Sequence, residues 1–256
     1  MTVAVVTGAA RGIGAATVQT LVAQGWSVVA VDRADDDPTV LYPLATRAEH
    51  ESLRGPNVHT VVADVRDAAA LADAVAEAEE RFGGLDVAIA VAGVIAGGVP
   101  QWELPAEQER TVLDVNLAGV LNLARAAVPA LLRRPEPRSG RFLAVASAAA
   151  TRGLPMLAAY CAAKAGVTGL VRALAVELGG TGVTANAVCP GSTATRMLDE
   201  TARLYDLSLA EDFARQQPSG RLVEPDEVAG LLAFLAGPGG AAITGASVPV
   251  DGGLAV

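Results

Sequence analysis

The sequence has few of the residues from which disulfide and metal sites are built. Its 256 residues include two cysteines, Cys161 and Cys189, and two histidines, His50 and His59. The cysteines are far apart and outside any C-x-x-C pattern, so the sequence contains neither a disulfide framework nor a zinc-binding cluster. We therefore predict two structural thiols and no metal ion, which excludes a zinc alcohol dehydrogenase.

Other features that the sequence lacks exclude further classes of protein. The chain carries 19 Lys and Arg against 28 Asp and Glu, a formal net charge of -9, and no basic stripe that could follow a nucleic-acid backbone. It has no G-x-S-x-G elbow of a serine hydrolase. No basic segment precedes the first apolar run, and the longest apolar stretch, residues 117–132, is interrupted by Asn122, Arg125 and Pro129. We expect a cytoplasmic protein with no nucleic-acid or membrane partner.

What remains is a regular alternation of short β-branched runs with Ala- and Leu-rich helical patterns. The strands are apolar on both faces, which is typical of a parallel sheet covered by helices on both sides. The pattern predicts an α/β fold, a Rossmann-type doubly wound parallel sheet in a single domain over residues 1–256. Strands are predicted at 3–7, 27–32, 58–64, 85–92, 141–147, 182–189 and 247–251, and helices at 12–24, 68–82, 105–132, 157–178 and 225–236.

A glycine-rich turn, TGAARGIG at residues 7–14, joins the first strand to the first helix. Gly8, Gly12 and Gly14 permit a tight turn and let backbone N–H groups and the helix N-terminus approach a diphosphate. Such a turn is weak evidence alone, but its position between a strand and a helix, with an acid at the end of the next strand, is typical of dinucleotide binding.

That acid, Asp32, predicts which dinucleotide binds. A carboxylate there can accept hydrogen bonds from the adenosine ribose hydroxyls, and it would repel a 2'-phosphate by several kcal/mol at ~4 Å. NAD is therefore favoured over NADP. Because Arg11 and Arg33 lie where they could pair with such a phosphate, NADP stays an alternative at this stage.

Asp64 also follows a predicted strand. It is suited to bind the adenine amino group, with the Val65 backbone beside it. Equally, it could cap the helix that starts near Asp67.

A second group of residues has the pattern of a proton-transfer site. Tyr160 and Lys164 are four residues apart in a helical stretch and therefore share a face, where an ammonium would lower the tyrosine pKa from its usual 10 or so. Ser147 ends the predicted fifth strand, at the sheet edge where open α/β folds bind ligands. Its hydroxyl could hold a substrate oxygen near Tyr160.

These motifs together resemble the short-chain dehydrogenase/reductase family over essentially the whole chain. The resemblance rests on TGAARGIG, Asp64, Asn116 in LDVNLAG, Ser147, Tyr160-x-x-x-Lys164 and NAVCPGSTAT at residues 186–195. It implies Tyr160 as general acid/base, Lys164 on the nicotinamide ribose, Ser147 on the substrate oxygen and Asn116 holding a water in a proton relay. The cofactor contacts it implies come from Gly8, Arg11, Gly12, Ile13, Gly14, Asp32, Arg33, Asp64, Val65, Ala92, Gly93, Tyr160, Lys164, Pro190, Gly191, Thr193 and Thr195.

The chain departs from the family pattern after the fourth strand. Many relatives carry Asn-Asn-Ala-Gly, whereas this sequence has AVAG at residues 90–93. The missing amides remove side-chain bracing between strands, but Gly93 still permits close backbone approach to a cofactor. We expect weaker support of the site and no loss of catalysis.

A second departure is an insertion of about residues 35–46, DDDPTVLYPLAT. Its Pro38 and Pro43 resist helix formation, while Val40, Leu41, Tyr42 and Leu44 form an apolar cluster that needs something to cover. With AGVIAGG at residues 92–98, it resembles the mycofactocin-coupled, carveol-dehydrogenase-like subgroup. That resemblance implies tightly held NAD, a loop that latches it and reoxidation by a mycofactocin redox carrier. The alternative is a loop that only packs on its neighbours.

The sequence indicates the substrate less specifically than the cofactor. Residues 192–220 correspond to a mobile lid with an apolar inner surface, which suggests an apolar, terpenoid-like secondary alcohol or ketone. The same residues could be the buried stripe of two small helices.

The family resemblance implies a homotetramer. The alternatives are an NADPH-dependent carbonyl reductase of the 3-oxoacyl type and, less favoured, a non-catalytic dinucleotide sensor.

Overall fold

Seven parallel strands form one sheet in the computed structural model, which describes residues 2–256. The strand order is β3-β2-β1-β4-β5-β6-β7, so the direction of winding reverses between β1 and β4. Ligands of open α/β sheets bind at such a reversal, above the carboxyl ends of the strands. The predicted doubly wound fold is confirmed. The strands are β1 Val3–Thr7, β2 Ser27–Asp32, β3 Val58–Val62, β4 Val87–Ala90, β5 Arg141–Val145, β6 Thr184–Pro190 and β7 Ser247–Val250.

Eight α-helices cover the two faces of this sheet or its edges. They are α1 Gly12–Ala23, α2 Arg47–Glu51, α3 Ala68–Phe82, α4 Ala106–Leu113, α5 Gly119–Arg133, α6 Ala158–Glu177, α7 Arg196–Leu204 and α8 Pro225–Ala236. On one face Leu71, Leu123 and Val171 join the core from α3, α5 and α6. On the other, Leu21 of α1 packs with Leu232 of α8. Burial of apolar side chains on both faces is the main stabilising contribution to the fold.

The long helix predicted over residues 105–132 is present as a continuous helical stretch, Ala106–Arg133. Between α4 and α5 it contains one π-helical turn, Asp114–Ala118. Asn116 lies in this turn and exchanges two hydrogen bonds with the backbone of Val94, each 2.8 Å long. A π-turn inserts one extra residue and re-aims its side chains, and such turns are frequent at functional sites. The sequence analysis did not predict this turn.

Several strands end earlier than predicted. β3 ends at Val62, β4 at Ala90 and β5 at Val145, each two residues before the predicted end. The residues that follow, among them Asp64, Ala92 and Ser147, leave the ladder and form the rim of the crevice. A side chain in the ladder points to one face of the sheet, whereas a residue beyond the strand end can face a ligand.

By length and composition alone, two helical stretches could cross a membrane: Ala106–Arg133, with mean hydropathy 1.5, and Ala158–Glu177, with 1.2. Core helices of soluble proteins meet the same criteria. Here each contributes side chains to the core that covers the sheet, and the second carries the buried Lys164.

Candidate active site and nucleotide crevice

Two adjoining cavities lie above the carboxyl ends of the strands. The first, about 410 Å³, runs from the glycine-rich turn past Asp32 and Asp64 to Gly93. The second, about 570 Å³, contains Ser147 and Tyr160 and reaches the lid. Both are within the usual size of ligand pockets. They share the lining residues Ile13, Val91, Gly93, Thr195 and Met197, so they form one continuous crevice.

Every residue that we predicted for the cofactor lines one of these two cavities. Those in the first are Gly8, Arg11, Gly12, Ile13, Gly14, Asp32, Arg33, Asp64, Val65, Ala92, Gly93 and Thr195. Those in the second are Tyr160, Lys164, Pro190, Gly191 and Thr193, together with Ile13, Gly93 and Thr195 again. Of the four predicted catalytic residues, only Asn116 lines neither cavity.

The glycine-rich turn fits a dinucleotide because a side chain has no room at two of its glycines. A Cβ on Gly8 would lie 2.6 Å from the Ala92 Cα, and one on Gly14 would overlap the Gly8 carbonyl. Gly8 and Gly12 also have positive φ angles of 66° and 52°. The backbone and the N-terminus of α1 are thereby exposed to the crevice, as diphosphate binding requires.

Asp32 is oriented by two backbone donors. Its Oδ2 accepts a hydrogen bond from Ala10 N and its Oδ1 accepts one from Ala34 N, each 3.0 Å long. The first bond fastens the carboxylate to the glycine-rich turn. Since a carboxylate oxygen accepts more than one hydrogen bond, each retains capacity for a ribose hydroxyl.

The two arginines that could have paired with a 2'-phosphate are already engaged by residues 36–43. Arg33 forms an ion pair with Asp37 and donates to the Asp36 carbonyl at 2.9 Å. Arg11 donates to the Pro43 carbonyl at 2.9 Å. The ion pair with Asp37 reduces the availability of Arg33 for a phosphate, which agrees with the choice of NAD made from Asp32. The bond of Arg11 to a backbone carbonyl leaves its charge unpaired within residues 2–256.

Asp64 does not cap a helix. The N-cap of α3 is Asp67, whose side chain accepts from the amides of Ala69 and Ala70. Asp64 is instead paired with Arg66, whose Nε lies 3.0 Å from both of its oxygens. Burial raises its pKa, but the bonds from Arg66 and the charge of nearby Arg33 lower it by more, so Asp64 is a carboxylate. The alternative prediction of a helix cap is wrong.

Tyr160 and Lys164 of α6 lie in the second cavity with Ser147, and both are buried. Ser147 follows β5 and begins a short 3-10 turn, where its Oγ accepts from Ala149 N at 3.1 Å. The Lys164 Nζ donates to the Val145 carbonyl at 2.9 Å and lies 5.7 Å from the centroid of the Tyr160 ring. One turn of helix and one strand end thus position all three side chains.

The prediction that Lys164 lowers the Tyr160 pKa is wrong for this arrangement. Burial raises the pKa of Tyr160 to about 12, and a hydrogen bond with Ser147 lowers it by less. The pKa of Lys164 is lowered to about 8, because burial disfavours its charged form. Within residues 2–256 the ammonium is hydrogen-bonded to a backbone carbonyl and lies beside the aromatic ring, with no hydrogen bond to the phenol oxygen.

Asn116 lies behind Gly93. A Cβ on Gly93 would be 3.0 Å from the Asn116 Oδ1 and 3.6 Å from the Lys164 Nζ, so these two groups approach the same point. Its side-chain amide is bonded to Val94, and this fixes the segment that follows β4. In place of the missing Asn-Asn bracing, the Thr7 hydroxyl accepts a hydrogen bond from Val91 N at 3.3 Å.

Comparisons with known proteins agree with this geometry. Residues 8–255 match the family profile described as enoyl-(acyl carrier protein) reductase. A short-chain reductase protein, NovJ, of Streptomyces niveus is 38% identical over 98% of this chain and 93% of its own. Carveol dehydrogenase of Mycobacterium avium, solved with NAD, superposes with a TM-score of 0.92 at 31% identity over 99% of this chain and 97% of its own.

A third similar protein is 3-ketoacyl-(acyl-carrier-protein) reductase of Brucella melitensis, solved with NADH. It superposes with a TM-score of 0.88 at 29% identity over 100% of this chain and 98% of its own.

The chain belongs to the short-chain dehydrogenase/reductase family. It is an NAD-dependent enzyme of that family and acts on CH–OH groups.

The crevice of this short-chain dehydrogenase/reductase also contains ion-paired residues that the sequence analysis did not select. Arg66 and Asp37 form an ion pair at 2.7 Å, which joins the insertion to the end of β3. Glu49 of α2 pairs with Arg196 of α7 at 2.8 Å, across the first cavity. A signal for Arg66 was available, since it lies two residues after a strand-end acid. No local pattern indicates that Glu49 meets a residue 147 positions later.

The charge state of Lys164 gives a prediction for the native enzyme. It is the only lysine in the sequence, so protein made with isotope-labelled lysine has one side-chain lysine signal. We expect that NMR signal to titrate near pH 8, well below an ordinary lysine, because burial disfavours the ammonium. The group is then charged below this pH and loses its charge as pH rises through it. A midpoint above about 10, the ordinary value, would contradict the burial described here.

Proposed function

We propose that this enzyme interconverts a secondary alcohol and a ketone, with Tyr160 as the general acid and base. The observation that carries the proposal is that Tyr160, Ser147 and Lys164 share one buried cavity, which is continuous with the nucleotide crevice at Gly93. The remaining cofactor contacts predicted from the sequence are proposed on the same ground, because their residues line that crevice.

When NAD is bound, its nicotinamide accepts the hydride from the alcohol or, as NADH, returns it to the ketone. Tyr160 takes the hydroxyl proton during oxidation and donates it during reduction. Ser147 holds the substrate oxygen beside Tyr160. Lys164, which keeps its charge at neutral pH, supports binding of the nicotinamide ribose, while Asn116 orients the neighbouring backbone for a proton relay.

The body of the substrate is apolar. The lid, proposed as residues 192–220, forms part of the cavity wall with Met197, Leu198 and Tyr205. Leu207 and Phe213 extend that wall. These side chains also pack among themselves, and the rings of Tyr205 and Phe213 meet edge to face with centroids 6.1 Å apart. An apolar surface of this kind favours a ring or chain of hydrocarbon character over a sugar.

The insertion, residues 35–46, acts as a latch on NAD. Val40, Leu44 and Ala45 line the nucleotide cavity, whereas Leu41 is 64% exposed and takes no part in it. Val40 and Leu44 also pack against the core cluster that contains the buried Tyr42 with Ile95 and Leu157. Three of the four residues predicted to cluster therefore pack together, and only Leu41 does not.

The latch is held by polar contacts at several of its residues. Asp37 binds Arg33 and Arg66 near the end of β3. The Thr39 hydroxyl accepts a hydrogen bond from the Thr111 hydroxyl at 2.7 Å. The Tyr42 hydroxyl accepts a hydrogen bond from Ile95 N at 3.3 Å, and the Pro43 carbonyl accepts one from Arg11. A loop fixed in this way must break several contacts before NAD can leave, and this supports slow release.

NAD that is held in this way has to be reoxidised in place. We propose that a mycofactocin-type redox carrier does so, as the resemblance of the insertion to the mycofactocin-coupled subgroup implies. We also propose a homotetramer. Apolar side chains that remain exposed in this single chain support it, among them Val176 on α6 and Phe234 on α8, which are 81% and 50% exposed.

Mass analysis of the nucleotide released on denaturing freshly purified protein tests the cofactor part of the proposal. We expect about one NAD per chain after extensive desalting. Protein that loses NAD on desalting, and then turns over many times with free NAD, would contradict the latch and leave the dehydrogenase chemistry intact. A released nucleotide that is NADP would contradict the role of Asp32.

Asp32→Asn gives a sharper version of this test. The carboxylate repels a 2'-phosphate by roughly 4 kcal/mol at ~4 Å and an effective dielectric of 20. We therefore expect the native protein to carry NAD alone, and the variant to carry less NAD together with measurable NADP. The control is Asp73→Asn on the exposed face of α3, which makes the same charge change outside the crevice. An unaltered nucleotide content in Asp32→Asn would refute this assignment.

A further inference from the structure

We propose that the substrate carries an anionic group, a carboxylate or phosphate, that is bound by Arg152. This inference rests on the proposed function, since it concerns the substrate cavity next to Tyr160. The proposed substrate then has an apolar body and a charged end.

The charges that line the second cavity are the first observation. Only Arg152 and Lys164 are charged among its lining residues, both are cations, and no carboxylate lines it within residues 2–256. The first cavity differs, because Asp32, Asp64 and Glu49 are among its lining residues. In a protein of net charge -9, a cavity wall with cations and no acid favours an anionic ligand.

Arg152 is also unpaired, unlike three of the arginines that line the neighbouring cavity. Arg33 and Arg66 bind Asp37, and Arg196 binds Glu49. Arg152 has no ion pair in the part of the chain that the structure describes, and its side chain makes one hydrogen bond, from Nη1 to the Leu254 carbonyl at 2.6 Å. Its Nε–H and Nη2–H donors remain. They form one edge of the guanidinium, the arrangement that binds a carboxylate or phosphate through two parallel hydrogen bonds.

The side chain is held in position by the end of the chain. The Asp251 carboxylate accepts hydrogen bonds from the amides of Gly253 and Ala255, each 3.0 Å long, and this folds the last residues into turns. Leu254, whose carbonyl binds Arg152, is itself buried and lines the same cavity. Arg152 is therefore fixed to the cavity wall through its Nη1, and the residue remains exposed and so accessible to a ligand.

Lys164 does not serve this purpose. Its ammonium donates to the Val145 carbonyl deep in the crevice, beside the Tyr160 ring. An anion there would occupy the space of the reacting carbon. Arg152 lies in the segment between Ser147 and Tyr160, near the tail of the chain, so it can bind an end of the substrate that takes no part in hydride transfer.

Calorimetric titration of the purified protein, with the nucleotide it carries, tests the inference without turnover. The probes are hexanoate, hexyl phosphate and hexanamide, which share an apolar chain and differ in charge. We expect at least one anion to bind about tenfold or more tightly than the amide, as a charge-assisted hydrogen-bonded pair does. The anion that binds more tightly identifies the source, a carboxylate of the substrate itself or the phosphate of a carrier-linked one.

Two variants test whether Arg152 causes the preference for an anion over the amide. In Arg152→Met the advantage of the anion should disappear while the amide binds as before. The matched control, Arg110→Met on α4, removes an exposed cation that forms no ion pair, and it should keep the preference. A preference that survives in Arg152→Met would overturn the inference, as would equal binding of all three probes, or of none, by the native protein.

The outcome is separate from that of the proposed function. Anion binding does not require Tyr160 to transfer a proton, so an inactive enzyme could still show the preference. Conversely, an active enzyme that binds the amide as well as the anions would retain the dehydrogenase proposal and lose this one. Arg152→Lys adds a graded case. It keeps the charge without the planar fork, and we expect it to recover only part of the preference.

Discussion

Tyr160→Phe is expected to lower turnover by about 1000-fold while leaving the bound NAD in place. The substitution removes one oxygen atom from a buried ring and keeps the ring itself in the cavity with Ser147. The proton of the substrate hydroxyl then has no acceptor at the position where hydride leaves. Stopped-flow measurement of the first turnover, followed as reduction of the bound nicotinamide, isolates this step from later events.

The comparison variant is Tyr205→Phe, whose hydroxyl donates to the Pro155 carbonyl at the edge of the same cavity. It loses a tyrosine oxygen without losing the proposed proton acceptor, so we expect less than about a tenfold effect, because the lost bond is an ordinary one. Nucleotide content and the unfolding midpoint should be similar in both variants. Turnover in Tyr160→Phe equal to that of the native enzyme would remove the assigned chemistry.

The pH dependence gives the same residue a second readout. Because burial raises the pKa of Tyr160 to about 12, the phenol is protonated at neutral pH. Reduction uses the protonated form and should be insensitive to pH in the neutral range. Oxidation needs the deprotonated form, whose fraction grows with pH, so its rate should rise up to the pH near 8 at which Lys164 loses its charge. This slope should be absent in Tyr160→Phe.

Those parts of the fold that depend on local pattern could be predicted from the sequence. The first two strands, α3 and α8 begin and end where the sequence analysis put them, because apolar periodicity, Pro225 at the first turn and a glycine after the last one are local signals. The π-turn at Asp114–Ala118 was not predictable in this way. It accompanies the two hydrogen bonds of Asn116 to Val94, a residue 22 positions earlier, and no window of sequence contains that contact.

The site divides along the same line. Gly8, Asp32 and Ser147 could be found because each lies at or just after the end of a strand, and the sheet brings those ends together. Tyr160 could be found because Lys164 follows it by one helical turn. The pKa values of Tyr160 and Lys164 could not be predicted, because they depend on burial by the whole fold. The path of the insertion was equally inaccessible. Its composition shows that it resists helix formation, but its anchoring depends on the arginines that Asp37 meets after the chain has folded.

Asp37→Ala is expected to release NAD on the order of 100-fold faster than the native protein, since loss of one partner from a buried ion-pair group is strongly destabilising. The Asp37 side chain is 5% exposed and binds Arg33, Arg66 and Thr39. Burial raises its pKa, but these hydrogen bonds lower it by more, to well below the ordinary value, so the charge persists at every pH at which the enzyme would be assayed. Without it two cations lose a partner, and the loop beside the adenine end loses its strongest anchor.

Release is measured by diluting protein that carries NAD into an excess of a second dehydrogenase with its alcohol substrate, which reduces free NAD, and by following the absorbance of the NADH that forms. Asp73→Ala, exposed on α3, is the control and should retain NAD as the native protein does. Tyr42→Phe removes a single hydrogen bond to the Ile95 amide and should give a smaller acceleration. Because Asp37, Arg33 and Arg66 line the first cavity and Tyr160 lines the second, the rate of the first turnover should change little in Asp37→Ala. Fast release with unchanged chemistry would separate the latch from catalysis, whereas native-like retention in Asp37→Ala would reduce the insertion to a loop that only packs on its neighbours.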